Sequence, residues 1–254
     1  MDVLETTDVR TTGTSQQPWT WVRVARIGGG AFVISSVVMV AAGAPIVSVA
    51  PVALVFAVFT ALLSAQRRRL AIAFLAIAGA VLGLNLVFAI ADLGHPESAP
   101  SFIPQLFSVL ALTVTVVGAL GVVMRWSPGA ARPVVLGTAG VLVVAIVGSL
   151  LAWNATTSDT QQAGDTPFGV EAFAWESDTV AIDPATSQAL WIDNRDGGRH
   201  VLAVPDLDVA VELPAWRARR VELGDVPAGE YAIVCTIPGH ESMTATLVVG
   251  DSTG

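Results

Sequence analysis

Cys235-Thr-Ile-Pro-Gly-His240-Glu-Ser-Met243 is the stretch that decides how this chain is read. Its nine residues hold the chain's single cysteine, together with one of the two histidines and the one methionine found beyond residue 153. Pro238 and Gly239 supply the bend of a loop that curls back on itself. Cys235 then ends one strand, and Met243 begins the next. The other histidine, His200, opens the apolar run Val201-Leu202-Ala203-Val204 after the turn residues Asp196-Gly197-Gly198. Taken singly, a cysteine at a strand end reads as a small buried hydrophobe and a Gly-His pair as a turn. Together, one thiolate, two imidazoles and one thioether are the donors that copper selects, with the methionine as a weak axial ligand. His200, Cys235, His240 and Met243 are therefore the candidate metal ligands, for one copper per chain.

The residues around this loop read as β. Short β-prone runs at 169–174, 179–182, 188–193, 200–204, 209–213, 217–223, 230–236 and 244–249 are separated by Asp-Pro, Asp-Gly-Gly, Leu-Pro and Pro-Ala-Gly breaks. Eight strands at this spacing predict a sandwich or barrel. In Val226-Pro-Ala-Gly-Glu-Tyr231, Pro and Gly make a tight corner. The tyrosine either fixes that corner through its hydroxyl or is a core-facing strand aromatic. A single cysteine excludes an intramolecular disulfide, so this half relies on its own core or on a metal.

The order Asn194, His200, Pro227, Gly229, Tyr231, Cys235, Pro238-Gly239-His240, Met243 and Leu247-Val248-Val249 resembles the cupredoxins, the type 1 blue copper family. The resemblance covers roughly 168–249 and implies a Greek-key β fold. It also implies a mononuclear copper site, with His200 the more buried histidine and His240 the partly exposed one. Only Glu241 and Ser242 separate His240 from Met243, a shorter gap than in many single-domain members. That gap resembles the copper domains of oxidase subunit II and nitrous oxide reductase, whose binuclear sites need two cysteines; one cysteine excludes such a site here. The family implies one-electron transfer with a redox protein, with Pro205, Leu207, Ile237 and Pro238 as a docking patch around His240. With no obvious open position for substrate and no further histidine-rich site, an electron carrier is expected and an enzyme is not. A copper capture or delivery role is the alternative.

The first 153 residues are of another kind. The chain is 53% hydrophobic and 13% charged, with mean hydropathy +0.66, too apolar for an ordinary soluble domain. Residues 1–153 carry 8 Arg against 5 acidic residues, net +3; residues 154–254 carry 5 Arg against 16, net −11. So acidic a second half argues against nucleic acid as a partner. The uncharged stretch 27–65 is too long for one span of about 20 residues and suits two, broken at Gly43-Ala44-Pro45. Three more runs, 70–91, 102–124 and 133–153, bring the expected count to five. The polar, acidic start does not read as a cleavable leader.

Arg23 and Arg26, Arg67 to Arg69, and Arg125 with Arg132 fall at alternate connections. Short arginine-rich loops stay cytoplasmic, which predicts a multi-pass plasma-membrane protein with its N-terminus inside and its β half extracytoplasmic. Trp126 and Trp153 fit the aromatic belts at the two interfaces. The expected organisation is a cytoplasmic tail at 1–22, an all-α transmembrane region at 23–153, a flexible polar linker at 154–166 and the copper domain at 167–254. Membrane lipids, and a redox or copper-handling protein, are the expected partners. His95, in an acidic loop, reads as a solvated residue and not as a ligand.

Overall fold

The computed structural model describes residues 19–41, 46–64, 67–183, 187 and 189–250. The Gly43-Ala44-Pro45 break lies outside them. The chain divides into an N-terminal helical region and a C-terminal β-sheet region. The helices are α1 (Trp21–Ala41), α2 (Ile46–Leu62), α3 (Arg68–Leu93), α4 (Ala99–Met124) and α5 (Ala131–Ala155). Four stretches, Trp21–Val40, Arg68–Leu93, Ala99–Met124 and Pro128–Ala155, are long and apolar enough to cross a membrane. α2 has 17 residues, with Pro51 inside it, and rises only about 26 Å.

Small residues let α1 and α4 approach closely, as expected where close backbone packing replaces a hydrophobic drive between helices. A Cβ on Gly118 would collide with the Ala25 backbone, and the Ser35 and Ser108 hydroxyls hydrogen-bond at 2.6 Å between the same helices. The helix ends that carry arginine meet at one end of the bundle. The Trp21 indole donates to the Trp126 and Ser127 carbonyls, and Arg26 donates to the Leu63 carbonyl.

The β half contains β1 (Thr166–Glu171), β2 (Ala174–Trp175), β3 (Thr179–Ile182), β4 (Ala189–Asn194), β5 (His200–Val204), β6 (Val209–Leu213), β7 (Ala218–Glu222), β8 (Gly229–Val234) and β9 (Thr244–Val249). They form a four-stranded sheet, β2-β1-β4-β7, and a five-stranded sheet, β3-β9-β8-β5-β6. Two pairings are parallel, β1 with β4 and β3 with β9. Alternation places Leu190 and Ile192 of β4, and Ala245, Leu247 and Val249 of β9, in one core. Ala91 of α3 packs against that same core.

The run expected as one strand at 169–174 is instead a hairpin. Its turn residues Ala172 and Phe173 both have positive φ, 55° and 60°. Such a turn ordinarily selects Asn-Gly, so Ala-Phe carried no turn signal. The Tyr231 hydroxyl donates to the Pro227 carbonyl at 2.9 Å, fixing the corner, while its ring packs on the core.

The polar stretch that reads as a linker runs along β7. Asp159 and Ser158 accept hydrogen bonds from the Arg220 and Ala218 amides, and Asp165 pairs with Arg220 at 3.0 Å. At the junction of the two halves, Arg199 is buried. It donates to the Ala91 carbonyl of α3 at 2.8 Å, stands 3.7 Å from Asp92 and pairs with Glu212. Arg217 bonds the Trp153 and Thr156 carbonyls at the end of α5 and stacks on the Trp153 ring.

Candidate metal centre

Register brings the donors together. β5 pairs with β8 antiparallel through Ala203 and Val234, and His200, at the start of β5, comes within reach of Cys235, just past the end of β8. The loop that follows is closed by its own backbone. The Cys235 amide donates to the Met243 carbonyl, the His240 amide to Ile237 and the Met243 amide to His240. Gly239, at φ +92°, makes the bend in a region that other residues rarely adopt.

One ligand atom each from His200, Cys235 and His240 lies within 4.8 Å of the others. Cys235 Sγ is 3.5 Å from His240 Nδ1 and accepts the Val201 amide at 3.5 Å. His200 is fully buried and His240 half-buried, the order the resemblance implies. Met243 is buried in the β core; it shares the loop, and its backbone closes it. His95 stands apart, hydrogen-bonded to Glu97 at 2.8 Å and 4.0 Å from Glu212.

Asp196, read in the sequence only as part of a turn, organises the surroundings. Its carboxylate is 3.0 Å from His200 Nε2 and accepts the Ala172 and Phe173 amides at 2.7 and 2.9 Å. With Nε2 donating to Asp196, the Nδ1 lone pair faces inward. Nδ1 is buried and has no hydrogen-bond partner, a costly state unless something accepts that lone pair. Three residues separate Asp196 from His200, and that closeness in sequence is the available clue. Asn194, buried, pins the same turn by donating to the Gly198, Leu213 and Pro214 carbonyls.

Burial favours the neutral form of both rings. Burial, reinforced by His240, lowers the His200 pKa to about 4 against the opposing pull of Asp196. Burial also lowers that of His240, although Asp92 acts the other way. Neutral imidazoles and a thiolate are what a soft metal requires, since protons compete for the same lone pairs. The donor set, the orphaned Nδ1 and the Asp196 carboxylate behind His200 all fit copper.

The β half is similar to amicyanin and auracyanin B. Amicyanin from Paracoccus versutus is 18% identical over 37% of this chain and 89% of that chain, with a TM-score of 0.30. Auracyanin B is 21% identical over 38% and 96%, also at 0.30. A Cu-containing nitrite reductase from Thermus scotoductus SA-01 is 15% identical over 39% and 26%, again at 0.30. No protein-family model and no curated protein matches the chain.

The docking patch expected from the sequence is only partly at the surface. Ile237 is buried and Leu207 packs against the core, while Pro205 and Pro238 are exposed. The large apolar side chains that are exposed in the β half, among the described residues, are Phe173 and Trp216. Phe173 meets both histidine rings edge-on, with centroids 5.6 Å from His200 and 5.3 Å from His240.

Proposed function

We propose that this chain is a membrane-anchored electron carrier holding one copper through His200, Cys235, His240 and Met243. When bound, copper supplies a one-electron couple. The convergence of two imidazoles and the Cys235 sulfur, with the orphaned Nδ1 of His200 among them, is the observation that supports this most. The residues divide the work. Asp196 fixes the His200 tautomer, the Val201 amide points at the Cys235 sulfur, and the hydrogen-bonded 235–243 loop holds its shape. A site preorganised in this way rearranges little when its charge changes, which suits transfer better than capture and release.

The anchor is read as five spans, with α2 the shortest, an N-terminus inside and the β half outside. The gathering of arginine-bearing helix ends at one end of the bundle supports that orientation. The partner is a redox protein at the outer face. Reversible voltammetry of the copper-loaded full chain tests the function: a fast one-electron couple is expected. Tight Cu(I) binding with sluggish redox would instead assign the chain to copper capture or delivery.

A further inference from the structure

We propose that the edge of the β half formed by Phe173, Trp216 and the 235–243 loop rests on the lipid surface at headgroup depth. This rests on the reading that the helices span a membrane, and it does not depend on copper.

Four observations carry it. First, in the β half the exposed large apolar residues, among those described, are this pair: Phe173 leaves 48% and Trp216 52% of its surface uncovered. Second, both occupy the left-handed backbone region, at φ 60° and 54°, which is unfavourable for a non-glycine residue. Asp196 enforces both, its carboxylate accepting the Phe173 amide and its carbonyl the Trp216 amide. The fold thus expends stability to hold two bulky rings outward.

Third, the rings form one surface with the donor cluster. Trp216 lies against Gly197, Phe173 against Gly198, and Phe173 against the two histidines. Fourth, the same edge touches two helices at matching depth. Trp216 packs edge-on against Trp153 of α5, with centroids 6.4 Å apart. Gly239 lies beside the half-exposed Phe88 of α3, where a Cβ would be 3.8 Å from that ring. Phe88 is 19 residues beyond Arg69, and Trp153 is 21 beyond Arg132. At 1.5 Å per residue these are about 29 and 32 Å from arginines at the same end of the bundle, close to the hydrocarbon thickness of about 30 Å. Both contacts therefore fall at the far boundary, where interfacial aromatic rings concentrate. The occupant is the lipid headgroup layer: Trp216 and Phe173 continue, on the β half, the aromatic level that Trp153 begins.

The test uses the metal-free full chain in phosphatidylcholine nanodiscs, with or without bromine on the acyl carbons nearest the headgroup. The Trp216 signal is the emission difference between wild type and Trp216→Phe. Bromolipid should lower it roughly twofold, while aqueous iodide leaves it nearly unchanged, as for a ring at headgroup level. Should Trp216→Phe fail to fold, Phe173→Trp supplies the reporter as added emission with the same expected pattern. Quenching chiefly by iodide, or by neither reagent, overturns the proposal. Liposome flotation of the same protein separates the two readings, because a chain that does not float fails as a membrane protein before the edge is tested.

Discussion

In the β half, Leu190, Ile192, Leu202, Ile233 and Leu247 are fully buried, whereas in the helical half Leu84, Ile90 and Val144 leave 68%, 69% and 73% of their surface uncovered. Both sets are apolar, and the difference lies in what each is folded against. The β half hides its apolar residues from water with alternating strands and must satisfy its polar groups internally. The helical half satisfies its backbone within each helix and presents its side chains outward, the arrangement a hydrocarbon solvent favours. Residues of one kind therefore have opposite value in the two regions, and substitutions should separate them.

The largest separation should come from truncation. Leu247→Ala opens a cavity in the β core and should lower its stability by about 3 kcal/mol. Leu84→Ala, on an exposed helix face, should change stability by less than about 0.5 kcal/mol. Thermal unfolding in detergent, followed by near-ultraviolet circular dichroism, checks both, and equal effects would break the contrast.

Acid should also act on one half alone. His200 stays neutral in the folded chain down to about pH 4, while in the unfolded chain it takes up its proton from about pH 6.5 downward. Between these values the unfolded state binds more protons. Metal-free stability is therefore full above this window, falls by up to about 3 kcal/mol as pH drops through it, and levels off below. His240 shifts in the same direction. Unfolding of the metal-free β half across this window tests the sign, and the helical signal should stay flat.

A smaller effect is expected at Asp196. Asp196→Asn removes the charge that fixes the His200 tautomer and should weaken copper binding by about 10- to 100-fold, the usual cost of losing such a partner. Competition titration with a Cu(I) chelator measures it, and an unchanged affinity would show that the carboxylate serves only the Ala172–Phe173 turn.

The same contrast explains what could be read from the sequence. β3, β5, β6 and β9 fall at the positions their β-branched runs predict, because each strand's pattern is local. The loop of candidate donors is equally plain, since Cys235, His240 and Met243 lie within nine residues of one another. What escaped depends on partners distant in the chain. The Ala172–Phe173 turn is held by a carboxylate more than twenty residues away, and nothing in Ala-Phe announces it. Arg199 owes its burial to α3, a partner more than a hundred residues away in the chain. The polar stretch before β1 carries no apolar pattern; its order comes from the edge of β7. The helices were legible as apolar runs, yet α1 begins at Trp21, before the uncharged stretch, because Arg23 and Arg26 are accommodated within its first turns.

If Cys235 and the two histidines form one copper site, the visible spectrum of the full chain after Cu(II) addition will show it. The wild type should show an intense thiolate-to-copper charge-transfer band that Cys235→Ser abolishes, while Met243→Leu keeps the colour and shifts the potential. A wild-type chain without that band, or a Cys235→Ser chain that retains it, would rule out such a site.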